Sequence, residues 1–109
     1  MKKNIIKERD KIVCLCGSTK FKKEFELAIR ELSLKSNIVL SVAQFSHFDN
    51  LNITIEEKKI FNALHFKKID LSDFIYVINP NGYIGDSTNK EIEYAKNQNK
   101  IVYFMFENE

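Results

Sequence analysis

The residues best suited to chemistry lie in one polar turn, between an apolar run and a helical pattern. The run Phe74–Ile78 is typical of a buried strand, and the helical pattern begins near Thr88. A turn that leads from the carboxyl end of a parallel strand into a helix is where open α/β sheets bind ligands. Its backbone N–H groups and the positive end of the helix dipole favour phosphate or sugar oxygens. The turn therefore predicts a nucleoside or nucleotide pocket with the carboxylate of Glu91 directed into it. The candidate substrate-binding residues of the turn are Asn79, Gly85, Ser87 and Thr88.

The local sequence around Glu91 has a second interpretation. Thr88-Asn89-Lys90-Glu91 fits the capping-box pattern, in which Thr88 caps the helix and the Glu91 side chain accepts from the Thr88 N–H. The local pattern alone leaves open whether Glu91 is a cap or a reactive carboxylate.

Composition indicates an ordinary globular domain. The chain has 109 residues, is 44% hydrophobic and 29% charged, and carries a formal net charge of +2. Because Lys and Glu are interspersed, we expect neither polymeric nucleic acid nor a membrane as a partner. No apolar run approaches the roughly 20 residues of a membrane-spanning helix, and no signal-peptide pattern is visible, so we expect a cytoplasmic protein.

Cys14 and Cys16 are two residues apart on a predicted strand, so their side chains share a face. Two thiols at this spacing are too few for a disulfide framework or a zinc site. We expect them to be small apolar packing residues in a reducing compartment, with a redox role as the alternative. The sequence therefore predicts no metal ion and no cofactor.

Strands and helices alternate along the chain. The predicted strands are residues 11–16, 37–42, 74–78 and 101–106, and the predicted helices are residues 22–35, 54–70 and 88–97. Nearly continuous apolar strands separated by helices predict an α/β domain with a mainly parallel sheet covered on both faces. Right-handed crossovers favour the order 2-1-3-4, counting these four strands, in a doubly wound, Rossmann- or flavodoxin-like domain. We expect residues 1–10 to be a flexible segment and residues 11–109 to be a single domain.

In this order, the loops after the first and third strands face each other across one crevice. The first loop offers Gly17 for close backbone approach, the hydroxyl of Ser18 and the charge of Lys20, and Cys16 ends the strand before it. These four are candidate substrate-binding residues. The loop has neither a G-x-G-x-x-G fingerprint nor a G-K-[ST] phosphate loop. A tight turn with Ser18 or Thr19 capping the next helix is the alternative.

Two further candidates lie between the second and third strands. Phe48 belongs to an aromatic loop that we expect to close over the ligand and stack on a base; the alternative is that its phenylalanines are core residues. His65 lies on the second predicted helix, which Thr54 and Glu57 begin as a capping box. A helical histidine is commonly structural, but this one would lie near the crevice if its helix passes the third strand.

The pattern resembles the nucleoside 2-deoxyribosyltransferase superfamily, which includes the deoxynucleoside monophosphate N-glycosidases. The resemblance covers residues 11–106 and rests on the C-G-S that ends the first strand, an I-x-x-x-D before an apolar strand, and a last strand after Lys100. Its most specific element is Ser87-Thr88-x-x-Glu91-Ile92-x-x-Ala95, which is similar to the family's G-T-x-x-E-L-G-x-A. The turn is also loosely similar to the P-G-G-x-G-T-x-x-E signature of cytokinin-activating phosphoribohydrolases.

The resemblance implies cleavage or transfer of the N-glycosidic bond of a (deoxy)nucleoside or its 5′-monophosphate. The family's nucleophilic glutamate falls on Glu91, and a second family acid falls on His65, which would hold or protonate the leaving base. Glu93 replaces a family glycine. The resemblance also implies a homodimer or higher homo-oligomer, because family sites are often completed by a neighbouring subunit. A non-catalytic nucleotide-binding module is the alternative. A receiver-type signalling domain shares this architecture. It needs clustered acidic residues after the first strand and an acceptor Asp after the third, and the sequence has neither.

Overall fold

The computed structural model describes residues 1–43 and 52–107. Its helices are α1 (Lys22–Ser33), α2 (Ile55–Leu71) and α3 (Asp86–Asn97). Its strands are β1 (Lys2–Lys3), β2 (Ile12–Gly17), β3 (Ile38–Leu40), β4 (Phe74–Ile78), β5 (Ile101–Phe104) and β6 (Phe106–Glu107). None of these described helices is both long and apolar enough to cross a lipid bilayer.

Four of the strands form a parallel sheet in the order β3-β2-β4-β5. The predicted α/β class and the parallel four-stranded sheet are confirmed. β2 and β4 are its interior strands and pair from Val13–Phe74 to Gly17–Ile78. Two strands that the sequence did not predict, β1 and β6, form a separate antiparallel pair.

The interior strands are buried on both faces, which is why they are apolar at nearly every position. α1 packs on one face with a cluster that includes Val13, Leu15, Phe25, Leu32 and Tyr76. α2 and α3 pack on the other face with a cluster that includes Cys14, Cys16, Ile69, Val77 and Ile92. Both cysteines are fully buried free thiols, so they point toward the two helices that carry His65 and Glu91.

The predicted capping box at the start of α2 is confirmed. The Glu57 N–H donates to Thr54 Oγ1 at 3.0 Å, and the Thr54 N–H donates to Glu57 Oε1 at 2.9 Å. These reciprocal bonds satisfy two N–H groups that the first turn would leave unpaired. They fix the start of the helix and thereby the positions of the side chains that follow it.

The first ten residues, predicted to be a flexible segment, lie against the end of the chain. Lys2 pairs with Glu107, and Asn4 donates from its backbone N–H to the Met105 carbonyl at 2.8 Å. Ile6 is buried with the α1 cluster. The pairing of two residues per strand is too short to produce an alternating pattern that sequence could identify.

Gly17, the last residue of β2, lies against Ile78, the last residue of β4. A Cβ at Gly17 would lie 2.9 Å from the Ile78 carbonyl oxygen and 3.0 Å from Ile78 Cβ. We expect Gly17→Ala to lower the free energy of unfolding by about 1 to 3 kcal/mol in urea denaturation, because the backbone must shift to admit the methyl group.

Gly85→Ala is the matched control for that measurement. A Cβ at Gly85 would meet the Tyr83 side chain at 3.5 Å, an ordinary van der Waals distance. The control should lose clearly less stability. Equal losses, or no loss at Gly17, would show that the two strand ends are not in such close contact.

Candidate functional site

A crevice of about 620 Å³ opens at the carboxyl end of the parallel sheet, between the loop after β2, the turn before α3, and α2. This is within the size range of small-molecule sites. The structure brings five predicted substrate-binding residues to its wall: Gly17, Ser18, Gly85, Ser87 and Thr88. His65 and Glu91, the predicted catalytic residues, also line it, and their side chains are only 8% and 14% exposed. The structure therefore brings both loops and both candidate catalytic side chains to one site.

The start of α3 tests the capping interpretation of Glu91. The helix begins at Asp86, two residues before the predicted start at Thr88. Its N-cap is Gly85, which has an extended backbone. Within the described residues, no side-chain hydrogen bond caps this helix. Thr88 is a buried residue inside the first turn, so Glu91 lies in the second turn. The capping-box interpretation of Thr88 and Glu91 is therefore wrong.

The Glu91 side chain instead faces a cluster of polar side chains beneath the crevice. Glu91 Oε1 lies 3.7 Å from His65 Nε2. The same Nε2 atom lies 3.5 Å from Cys16 Sγ and 3.7 Å from Cys14 Sγ. α2, α3 and β2 thus each contribute to one compact group of a carboxylate, an imidazole and two thiols.

Burial controls the protonation of the carboxylate and the imidazole. Burial raises the pKa of the Glu91 carboxyl, and the neighbouring His65 only partly offsets this effect. A position in the first turn of a helix would favour the ionised form, but Glu91 lies in the second turn of α3 and is largely desolvated. Burial also works against the His65 imidazolium, yet the contact with Cys14 and the charges of Cys14 and Glu91 outweigh it and raise the pKa of His65.

The two thiols titrate as a pair. The neighbouring Cys16 side chain lowers the pKa of Cys14 to about 6, with His65 acting in the same direction and burial opposing it. The same contact, together with burial, raises the pKa of Cys16 well above its ordinary value. One thiol therefore ionises while the other retains its proton.

Three of the predicted substrate-binding residues have other surroundings. Cys16 is fully buried behind the crevice wall, where it contacts His65, so it is not exposed to a substrate. Asn79 is buried and holds β6: its Nδ2 donates to the Phe106 carbonyl at 3.1 Å and its Oδ1 accepts from the Phe106 N–H at 2.9 Å. Lys20 is exposed, and its Nζ lies 3.6 Å from the centroid of the Tyr83 ring. These three side chains do not line the crevice, whose described lining lies mainly on α2, the loop after β2 and the start of α3.

The structure also adds crevice residues that the sequence did not single out. Lys58, Phe61 and Asn62 line the crevice from α2, on the helical face that His65 occupies. Counting back from His65 by three, four and seven residues would have identified them. Tyr83 lines it from the turn before α3 and contacts Phe21 edge to face at 5.7 Å between ring centroids.

Two sequence expectations for this site have other outcomes. Phe48 and the rest of its aromatic loop lie outside the described residues. The expectation that Ser18 or Thr19 caps α1 is wrong, because the N-cap is Phe21 and no side-chain hydrogen bond caps it in the described part of the chain.

Comparisons with protein-family models, with curated proteins and with solved structures find no match to this chain. The assignment of a function therefore depends on the geometry and chemistry of the site.

Removing the hydrogen bonds of Asn79 tests whether this residue has a structural role or a binding role. Asn79→Ala removes both bonds to Phe106 and leaves the backbone groups of β6 without these partners. We expect the free energy of unfolding to fall by about 1 to 3 kcal/mol in chemical denaturation. Asn89→Ala, at an exposed position of α3, is the control and should be neutral, because alanine is a good helix former. A folded, fully stable Asn79→Ala protein with weakened ligand binding would restore Asn79 as a substrate-binding residue.

Proposed function

We propose that the protein cleaves or transfers the N-glycosidic bond of a (deoxy)nucleoside or its 5′-monophosphate, with Glu91 as the nucleophile. The observation that carries the proposal is the position of the Glu91 carboxylate, which is directed away from its own helix cap and toward the crevice and His65. The resemblance of Ser87-Thr88-x-x-Glu91 to the deoxyribosyltransferase motif supports the same role independently of that geometry.

The wall of the crevice suits a nucleoside. The start of α3 contributes the hydroxyls of Ser87 and Thr88 together with first-turn N–H groups, which can bind sugar or phosphate oxygens. Phe61 and Tyr83 contribute aromatic surface on which a base can stack. Lys58 offers a positive charge for a 5′-phosphate.

In the first step, a Glu91 oxygen attacks C1′ of the sugar as the bond between C1′ and the base nitrogen breaks. The electron pair of that bond moves to the base, which takes a proton from the His65 imidazolium. The products are the free base, a glycosyl ester on Glu91 and a neutral His65. The raised pKa of His65 favours a protonated acid for this step.

In the second step, water attacks C1′ from the opposite side and gives a proton to His65. The C1′–O bond to Glu91 breaks and the carboxylate is regenerated, so the sugar retains its configuration. If a second base attacks in place of water, it transfers its proton to His65 and the net reaction is base exchange.

The remaining proposals concern the location and the assembly of the protein, and only the assembly follows from the same resemblance. We place the protein in the cytoplasm and expect a homodimer or higher homo-oligomer. Exposed apolar side chains at helical spacing on α2, namely Ile60, Leu64 and Leu71, support a subunit contact there.

Replacing Glu91 by Gln tests the nucleophile most directly. Gln keeps the shape of the side chain but cannot form the glycosyl ester, so we expect release of free base to fall by about 10³-fold or more. Stability should change by about 1 kcal/mol or less, because a neutral amide needs no desolvation of charge. Release of base from a panel of deoxynucleosides and their monophosphates is followed by chromatography.

Glu93→Gln is the matched control, since Glu93 is an exposed acid two residues along the same helix. It should retain full activity. Tight nucleotide binding by the unmodified protein with no base released from any member of the panel would overturn the enzyme proposal in favour of a binding module.

Two substrates with different leaving bases distinguish an acid role of His65 from a structural one. His65→Gln should slow release of an ordinary base by about 10²-fold or more, because the base then leaves without a proton. A 7-methylpurine deoxynucleoside carries its positive charge already and leaves neutral, so its release should be nearly unaffected. Equal losses for both substrates would show that His65 only positions Glu91.

A further inference from the structure

Four side chains that can bind a metal ion meet beneath the crevice. The donor atoms of Cys14, Cys16 and His65 all lie within 4.8 Å of one another, and all three residues are buried. Glu91 Oε1 approaches the same His65 nitrogen at 3.7 Å. The sequence did not predict this group, because the two cysteines are too few on their own and His65 is 49 residues from the nearer one.

We propose that Cys14, Cys16 and His65 form a site for a thiophilic divalent cation, Zn²⁺, with Glu91 at the fourth coordination position.

The distances from His65 Nε2 to the other donor atoms fit a tetrahedral zinc site. Zn–S bonds of about 2.3 Å and Zn–N bonds of about 2.05 Å place sulfur and nitrogen roughly 3.6 Å apart in a tetrahedron. The observed separations of His65 Nε2 from the two sulfurs are 3.5 and 3.7 Å. A carboxylate oxygen and a nitrogen on the same ion would be roughly 3.4 Å apart, and the observed distance is 3.7 Å. The two sulfurs, which lie within 4.8 Å of each other, would be roughly 3.8 Å apart on the same ion, so rotation of the cysteine side chains would complete the coordination.

The donor set selects the type of cation. Two thiolates and an imidazole favour Zn²⁺ over Mg²⁺ or Ca²⁺, which prefer oxygen ligands. Two thiolates balance the two positive charges of the ion, and an ionised Glu91 would leave one net negative charge where the site meets the crevice. The cysteines come from an interior strand of the sheet and His65 from a helix packed on it, so the three ligands are on rigid elements. Glu91 and His65 line the crevice, which gives the ion a route from solvent.

Zinc binding would compete with the proposed reaction, and this consequence alone depends on the proposed function. An ion at this site takes a lone pair of His65 and an oxygen of Glu91, so neither is free for proton transfer or attack on C1′. Zn²⁺ would then act as an inhibitor of base release.

Zn²⁺ binding is measured first, without any substrate. Protein stripped with a chelator is titrated with Zn²⁺ in competition with a chromophoric chelator, and with Co²⁺ as a spectroscopic probe. We expect one ion per chain and a thiolate-to-cobalt charge-transfer band. Mg²⁺ should not compete. A site with no charge-transfer band, or with equal affinity for Mg²⁺, overturns the proposal.

Single substitutions identify the ligands. Cys14→Ser, Cys16→Ser and His65→Gln should each weaken Zn²⁺ binding by at least about tenfold, since even loss of an outer partner of a ligand costs that much. If either serine variant fails to fold, the other and His65→Gln still test the site. Unchanged affinity in the folded variants overturns it. Glu91→Gln should weaken Zn²⁺ binding and Glu93→Gln should not. Equal Zn²⁺ affinity in the two variants would show that Glu91 is not a ligand.

Inhibition is measured last, as base release with and without one equivalent of Zn²⁺. Loss of release that a chelator reverses is the expected result, and unchanged release overturns the inhibitory consequence. A protein that binds Zn²⁺ through the cysteines but releases no base under any condition keeps the metal site and loses the glycosidase. A protein that releases base but gives no thiolate-to-cobalt charge-transfer band keeps the glycosidase and loses the metal site.

Discussion

β2 and β4 pair in parallel over five residues, from Val13–Phe74 to Gly17–Ile78, and all of these residues except the half-buried Gly17 are buried. The pairing brings the loop after β2 and the turn after β4 to the same edge of the sheet, although 61 residues separate Gly17 from Ile78 in sequence. It can be this close at its carboxyl end only because Gly17 has no Cβ to meet the Ile78 carbonyl oxygen. The crevice, its two walls and the approach of α3 to it all depend on this register.

The same pairing puts polar groups into an apolar layer. Cys14 and Cys16 face α2 and α3, in a cluster otherwise formed by residues such as Ile69, Val77 and Ile92. An imidazole and a carboxylate desolvated there are costly unless they have partners. His65 contacts both sulfurs and Glu91, so the groups compensate one another. Apolar residues of similar volume at such positions are often as stabilising as a buried charged pair, so stability alone does not require this cluster.

The sequence predicts this architecture well because its signals are local. Apolar runs and the pattern Thr54-x-x-Glu57 identify the strands of the main sheet and the start of α2, and the structure contains both. The pattern Thr88-x-x-Glu91 is of the same kind, yet α3 begins at Asp86, with Gly85 as its N-cap. Whether a glutamate turns back to cap its helix or reaches toward a histidine on another helix depends on tertiary packing, which a four-residue pattern does not contain.

The side chains of the site were harder to predict for the same reason. Asn79 has the sequence context of a ligand-binding residue, but its amide binds Phe106, in a short strand that has no signal of its own. Cys16 has the context of a strand end that touches the ligand, but alternation along β2 turns its side chain into the core. In both cases, the backbone position was close to the crevice and the direction of the side chain decided its partner.

The charge of the cluster links its two proposed activities. Glu91 needs to be ionised to attack a sugar, whereas burial raises its pKa, and the nearby positive charge that can offset burial is that of His65. The same imidazole also lies beside both thiols, with Nε2 at 3.5 Å from Cys16 Sγ and 3.7 Å from Cys14 Sγ. One side chain therefore contacts both the carboxylate and the sulfurs. Zn²⁺ at the proposed site would withdraw His65 from proton transfer, so the two proposed activities would exclude each other in the same molecule.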